Sequence, residues 1–204
     1  MRVVLLGANG QLGSDLVERH RESRPKWTLR PLIRNDVDVS HPDTLRELLA
    51  NEQFDALVNC TGYHKTDDVE RNATLGFSVN AHAVRAMAEA CESKEAAFFH
   101  ISTDYVFSGS SSRPYSEMDC PRPINVYGAS KAMGEVLAAS ACTKFFSLRV
   151  ASLFGVAGSS GKGGNFVETM IRIAREKGEI SVVDDITMSP TSTSDVSEWI
   201  FRLL

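Results

Sequence analysis

Apolar positions recur along this chain in two alternating rhythms. Short, nearly unbroken apolar runs fall at Arg2–Leu6, at residues 27–33, 54–60 and 96–101, at Phe145–Val150 and at residues 179–183. Runs of this length predict strands, and residues 54–60, which alternate little, read as one buried on both faces. Between them the apolar residues are spaced three or four apart, which predicts helices. Leu12, Leu16, Val17 and His20 mark the first, and Leu45, Leu48 and Leu49 mark a second that His41, Pro42 and Asp43 open. A long third helix carries Val79, Ala83, Ala86, Met87, Ala90 and Cys91. Met133, Val136, Leu137 and Cys142 supply the expected core face of a fourth helix. A fifth begins at Asn165 and Phe166, and a last one, capped by Ser194, carries Val196, Trp199, Ile200 and Leu203. Strand and helix alternate throughout, so the expected fold is α/β, a doubly wound parallel sheet of Rossmann-like kind.

The segments between these elements are polar or rich in serine, proline and glycine. Residues 65–70, Lys-Thr-Asp-Asp-Val-Glu, read by composition as a solvated loop, and residues 109–123 as a surface loop. Asn80, inside the third helix, costs it propensity and reads as a surface residue or a polar contact. The glycine-rich tract 155–164 lacks the Gly-Lys-Ser/Thr ending of a phosphate loop and is expected to be a mobile loop on the substrate side.

Composition narrows the class. With 204 residues, 43% hydrophobic and 24% charged, the chain has enough apolar content for one well-cored domain. No run is long enough for a signal-peptide core or a membrane span, so a cytoplasmic protein is expected. The four cysteines are far apart and the five histidines do not cluster, so neither a metal site nor a disulfide scaffold is expected. A net charge of -4 without a basic run offers nucleic acid and anionic membranes little to hold.

Three places carry chemistry. Gly7-Ala8-Asn9-Gly10-Gln11-Leu12-Gly13 follows the first strand directly and opens the first helix. Glycines there permit a tight turn, bring a pyrophosphate close to helix-start amides and let helix and strand pack closely. Its spacing is G-x-x-G-x-x-G rather than the commoner G-x-G-x-x-G, so both a dinucleotide site and a structural turn fit it. After the second strand, the place of a ribose-binding acid holds Ile33 and Arg34, which favours NADPH over NADH, while Asp38 and Val39 lie near enough to flank an adenine. The third strand leaves through Asn59, Cys60, Thr61, Gly62, Tyr63 and His64, and the fourth delivers Ser102, Thr103, Asp104 and Tyr105, all at carboxyl ends where such sheets bind ligands. A hydroxyl there can donate to a carbonyl oxygen gaining charge, and Asp104 serves equally as a loop cap.

The third place is Tyr127-Gly128-Ala129-Ser130-Lys131. On a helix the tyrosine and lysine share one face, and an ammonium close to a phenol lowers its pKa towards the working range of a general acid. Alone, the pair also fits a half-buried aromatic beside a solvated charge.

Taken together, Gly7–Gly13, residues 102–107 (Ser-Thr-Asp-Tyr-Val-Phe), residues 125–135, Asn165-Phe166 and Val182-Val183-Asp184-Asp185 resemble the extended short-chain dehydrogenase/reductases, specifically the dTDP-4-dehydrorhamnose reductases. The resemblance runs along nearly the whole chain. It implies a single NAD(P)-binding Rossmann-type domain over 1–204, with 151–204 including part of an incomplete substrate lobe. It implies Thr103, Tyr127 and Lys131 as catalytic residues. The implied cofactor site comprises Gly7, Asn9, Gly10, Gln11, Leu12, Gly13, Arg34, Asp38, Val39, Cys60, Thr61, Tyr63, Tyr127 and Lys131. His64, Thr103, Asp104, Ser152 and Asn165 are the implied substrate contacts. The implied reaction reduces the 4-keto group of a nucleotide-linked 6-deoxysugar, with Lys131 both holding the nicotinamide ribose and depressing the Tyr127 pKa. Two departures bear on it: Ser152 stands where these reductases carry a tryptophan, and the chain ends at Leu204, short of a full substrate lobe. A homodimer or another partner that completes the substrate side is one expectation, and a fragment of a longer chain the other. Two further readings stay open, a non-catalytic regulatory subunit like the methionine adenosyltransferase beta subunit and a sugar-nucleotide epimerase or dehydratase.

Overall fold

The structure, a computed structural model, describes residues 1–157 and 166–204. Five parallel strands form the central sheet: β1 (Arg2–Leu6), β2 (Thr28–Leu32), β3 (Ala56–Asn59), β4 (Ala97–Thr103) and β5 (Phe145–Val150), in the order β2-β1-β3-β4-β5. The order reverses direction between β1 and β3, which places a crevice at the carboxyl ends of these strands. Alternate residues of β1 serve opposite faces. Val4 and Leu6 pack with α2 (Pro42–Asn51), α5 (Ala83–Ser93) and α6 (Val126–Ala141) through Leu45, Leu49, Met87 and Ala138. Val3 and Leu5 pack with α1 (Gln11–Ser23) and α8 (Thr193–Leu203) through Leu12, Leu16, Val196 and Ile200. Burial on both faces is why β1, β3 and β4 read as apolar runs, whereas the edge strands β2 and β5 are mostly exposed or half-buried.

Several elements differ from the sequence reading. Residues 65–70 are not a solvated loop: Thr66–Arg71 forms helix α3, anchored by fully buried Val69. A Cβ on Gly76, in α4 (Ala73–Phe77), would sit 2.7 Å from that valine, so one apolar residue in a polar run fixes the helix. The long third helix contains a π-turn at Ser78–His82 between α4 and α5, and Asn80 lies in it, buried rather than on the surface. Residues 179–183 form no strand, and Ile180, Val182 and Val183 are exposed. Instead a short parallel pair joins β6 (Leu153–Phe154) to β7 (Thr191–Ser192). The cap of α8 is Ser192, not Ser194; its hydroxyl accepts from the Asp195 amide. Of the face predicted there, Val196 and Ile200 are buried while Trp199 and Leu203 are exposed. The helix predicted from Asn165 is α7 (Phe166–Lys177).

Of the apolar face predicted for α6, Cys142, just past its end, is buried in the core and Leu137 is half-buried, but the other two members do not face inward. Met133 and Val136 are exposed, and Gly128, Ser130, Lys131, Ala132, Gly134, Glu135 and Ala138 face inward. Small residues let this helix lie against backbone. A Cβ on Gly128 would stand 2.1 Å from the Tyr105 carbonyl oxygen, and one on Gly134 2.1 Å from that of Asn80. Glu135 is satisfied in the interior by a bidentate bond from Arg149, 2.7 Å at its shortest. Among the described residues no helix is long and apolar enough to cross a membrane.

Candidate active site

The glycine turn builds the first wall of the crevice. Gly7 adopts φ +79°, a left-handed conformation open to glycine, and a Cβ there would stand 3.0 Å from the Cys60 carbonyl carbon. A Cβ on Gly13 would stand 2.1 Å from the Gly7 carbonyl oxygen, so α1 can begin this close to β1 only with glycine at that position. The N-terminus of α1 has no side-chain cap and no acid in its first turn, and Gln11 Nε2 beside it is buried without a partner. Free amides, the positive end of the helix dipole and a spare donor together suit an anionic diphosphate, so the residues present fit a dinucleotide. Asn9 and Leu12 belong to this turn, Asn9 exposed and Leu12 buried beneath it.

At the end of β2, Arg34 is exposed and donates to Asp38 Oδ2 from Nε at 3.1 Å and from a terminal nitrogen at 2.9 Å. Burial would raise the Asp38 pKa, but bonds from Ser40 and Arg34 outweigh it and hold the carboxyl below its ordinary value. Val39 packs into the core beside Leu45. The β3 exit places Cys60 and Thr61 next to the turn. Burial pushes the Cys60 thiol up to about 12, which keeps it protonated and unreactive. Asn80 then fixes the following loop. Its Oδ1 accepts from the Tyr63 amide at 2.9 Å, and its Nδ2 donates to the Tyr63 carbonyl at 2.9 Å and to Ser130 Oγ at 3.0 Å. His64, beyond it, is exposed.

The second wall brings β4 and α6 together. Asn125 caps α6 by accepting from the Gly128 amide at 2.7 Å, which starts the helix one residue before Tyr127. Thr103 is buried at the end of β4; its hydroxyl donates to Asp104 Oδ1 at 3.1 Å and accepts from the Tyr105 amide at 3.2 Å. The Tyr105 and Tyr127 rings meet edge to face at 5.6 Å. Although part of the Tyr127 side chain is exposed, its phenol end is enclosed. Burial raises its pKa to about 12, with Asp104 and Tyr105 adding to the rise and the Thr103 hydroxyl opposing it. Asp104 itself is raised by burial.

Lys131 is 3% exposed, and its Nζ lies 2.6 Å from the Ile101 carbonyl oxygen and 3.1 Å from His100 Nε2. The expected depression of the Tyr127 pKa by this lysine is therefore not what the geometry gives: the amine is turned onto β4, and Lys131 is not among the groups that shift the phenol. Burial lowers the Lys131 pKa to about 8, against smaller opposing effects of Glu135 and Cys60.

That shift carries a stability consequence. The folded state binds the lysine proton less tightly than the unfolded chain, so the penalty for burying the ammonium is complete below pH 8. Stability is regained as pH rises from about 8 to the unfolded value near 10.4. At about 1.4 kcal/mol per unit, the stability gap between the native chain and Lys131→Met should change by on the order of 3 kcal/mol across that window, in favour of the native chain at high pH. Urea unfolding of both proteins at several pH values measures it, and a constant gap would refute it.

The structure thus brings together the glycine turn, Cys60, Thr61, Tyr63, Thr103, Asp104, Tyr127 and Lys131 along the carboxyl edge of the sheet. Ser152 lies apart, after β5, with φ +42° and its hydroxyl directed to Met188 Sδ. Asn165 and most of the 155–164 tract lie outside the described residues. Sequence reasoning missed His100 altogether and placed Asn59 only in the exit of the third strand, with no role of its own. Their signal was a polar residue inside a strand otherwise apolar, Ala97-Phe98-Phe99-His100-Ile101 and Ala56-Leu57-Val58-Asn59.

Comparison with known proteins agrees with this layout. The sequence model of the family described as RmlD substrate binding domain matches residues 1–204. A dTDP-4-dehydrorhamnose reductase of Burkholderia thailandensis is 34% identical over 198 residues, covering 97% of this chain and 64% of the relative. The crystal structure of a Clostridium acetobutylicum dTDP-4-dehydrorhamnose reductase superposes with a TM-score of 0.91 at 30% identity, over 100% of this chain and 70% of that one. That of Bacillus anthracis, in complex with NADP, gives 0.90 at 36% identity over 99% and 70%. The chain thus spans about two thirds of the length of the relatives it matches. With the match extending over every residue that forms the sheet, the glycine turn and the Tyr127 helix, the chain belongs to the RmlD substrate binding domain family.

Proposed function

We propose that this chain is the cofactor-binding and proton-transfer portion of an NADPH-dependent reductase acting on the 4-keto group of a nucleotide-linked 6-deoxysugar, as its relatives' name, dTDP-4-dehydrorhamnose reductase, describes. The observation that carries the reading is the convergence of Thr103 and Tyr127 at the end of β4 beside a glycine turn shaped for a diphosphate. The turn and the α1 amides hold the diphosphate. Arg34, exposed at the end of β2, meets a 2′-phosphate, and NADH remains the weaker alternative. When bound, a reduced nicotinamide supplies the hydride.

Tyr127 supplies the proton. A phenol raised to about 12 is fully protonated at neutral pH, so it waits in the form that an alkoxide developing on the substrate requires. Thr103 donates its hydroxyl hydrogen to the same oxygen, exchanging Asp104 for the substrate as acceptor. Residues 151–204, with Ser152 and Asn165, contribute to the substrate side.

The test is oxidation of NADPH, followed by its absorbance, with a dTDP-4-keto-6-deoxyhexose. Turnover above the keto-sugar-free rate is expected, and its absence in both this chain and a longer natural form would refute the reading. Arg34→Ala is expected to weaken NADPH binding about tenfold, the loss of roughly one charge-assisted bond, and to leave NADH binding unchanged. Fluorescence titration with each nucleotide measures it.

A further inference from the structure

Behind Lys131 lies a line of buried polar groups that cofactor binding and proton donation do not by themselves explain. Asn59 and His100 are both fully buried. Asn59 Oδ1 accepts two bonds from Thr61, from its amide at 2.9 Å and from its hydroxyl at 2.6 Å. These two donors fix the orientation of the amide, so the group facing His100 Nδ1, at 3.0 Å, is the Asn59 NH2. His100 Nδ1 must then accept. Burial above all holds the His100 pKa well below its ordinary value, with a charged Lys131 adding to the effect when present, so the ring is neutral with one proton, and that proton sits on Nε2.

Nε2 faces Lys131 Nζ at 3.1 Å. A ring N–H directed at an ammonium sets donor against donor. A free amine removes the conflict: it accepts from His100 Nε2–H and donates to the Ile101 carbonyl 2.6 Å away. The other groups around the lysine do not relieve the conflict. Cys60 stays a thiol, Tyr127 a phenol, and Glu135 is already engaged by Arg149.

The geometry points to His100 as a positioning residue. With its tautomer set by Asn59, it holds Lys131 as a free amine against β4 and repels the ammonium toward the Tyr127 side of the same helix face. The catalytic consequence rests on the proposed reductase reading. Charging the lysine and freeing it to work beside Tyr127 become one event, linked through Asn59 to Thr61 in the cofactor cradle. With the Lys131 pKa lowered to about 8, the free amine held against β4 is the main form only above that pH and the ammonium predominates at neutral pH, so the event runs across this range.

The test reads the ring and the lysine rather than turnover, so it stands apart from the test of the function. In the 15N-labelled chain, long-range proton–nitrogen correlation should show His100 protonated at Nε2 and bare at Nδ1. An Nδ1–H ring or a doubly protonated one would overturn the proposal. Asn59→Asp keeps the side-chain shape and still accepts from Thr61, but presents an acceptor to Nδ1. It should move the ring proton to Nδ1 and leave Nε2 as an acceptor for the ammonium. His100→Gln gives the ammonium an acceptor directly, and should raise the midpoint of Lys131 Nζ titration by about one pH unit, the size of one hydrogen bond to a charged group. A midpoint unmoved in His100→Gln, or a ring still protonated at Nε2 in Asn59→Asp, would show that the histidine is a packing residue only. Absence of keto-sugar turnover would overturn the proposed reaction and leave the tautomer result standing.

Discussion

Tyr127→Phe should lower kcat with a dTDP-4-keto-6-deoxyhexose by about a thousandfold while changing NADPH affinity by less than about threefold. The magnitude is that of one positioned general acid, for which the range is roughly 10²–10⁴. The separation of the two effects follows from position. The phenol end of Tyr127 faces Thr103 and Asp104 at the end of β4, and its shift arises from them, from Tyr105 and from burial. The diphosphate cradle is built on β1, α1 and the β3 exit instead. Loss of the hydroxyl also removes a buried polar group, so the variant should be no less stable than the native chain. Thermal unfolding separates that result from general damage. Steady-state NADPH oxidation gives kcat, and fluorescence titration gives the affinity. A variant with unchanged kcat would remove Tyr127 from the chemistry. One with equal losses in kcat, affinity and stability would make it a structural residue.

How much of this was legible beforehand depends on whether a residue's role is set by its neighbours in sequence or across the fold. The central strands β1, β3 and β4 read correctly because a strand covered on both faces is mostly apolar, while the edge strands β2 and β5, largely exposed or half-buried, read from shorter apolar stretches. The Gly7–Gly13 turn and the Tyr127–Lys131 spacing were readable for the same local reason. Asn80 stayed open between a surface residue and a polar contact because its partners, Tyr63 and Ser130, are 17 and 50 residues away. His100 reaches Asn59 across 41 residues and Lys131 across 31, and nothing near it in sequence hints at either. The inward face of α6 inverted the usual rule. Hydrophobic periodicity marked Met133 and Val136, yet the buried stripe is glycine, serine, lysine, alanine and glutamate, chosen for close approach and chemistry rather than for apolar area. Residues 179–183 show the converse. Apolar residues in an extended pattern form a strand only where another strand offers its edge, and Ile180, Val182 and Val183 are exposed among the described residues.

Gly128→Ala tests the close approach directly, because local preference and tertiary packing predict opposite signs. By helix propensity alone, alanine for glycine inside α6 should stabilise the protein by about 1 kcal/mol. The added methyl, however, would stand 2.1 Å from the Tyr105 carbonyl oxygen and 2.9 Å from its carbon, both of them backbone atoms. Neither side has room to yield. The turn carrying Tyr105 is tied by the Phe107 amide to the Asp104 carbonyl and by the Tyr105 amide to Thr103, and it rests on fully buried Val106. The helix is tied at its start by the Asn125 cap and, nine residues on, by Gly134 against the Asn80 carbonyl. Relief requires a shift of about 1 Å between α6 and the end of β4, the two elements that hold Tyr127 and Thr103. Overpacking of this kind costs about 1–3 kcal/mol, and misplacement on that scale lowers a rate about a hundredfold. Urea unfolding should therefore show net destabilisation, and kcat should fall by about two orders of magnitude with NADPH affinity largely kept. A variant more stable than the native chain and fully active would mean that α6 does not need to approach β4 this closely, and that the pairing of Tyr127 with Thr103 does not depend on it.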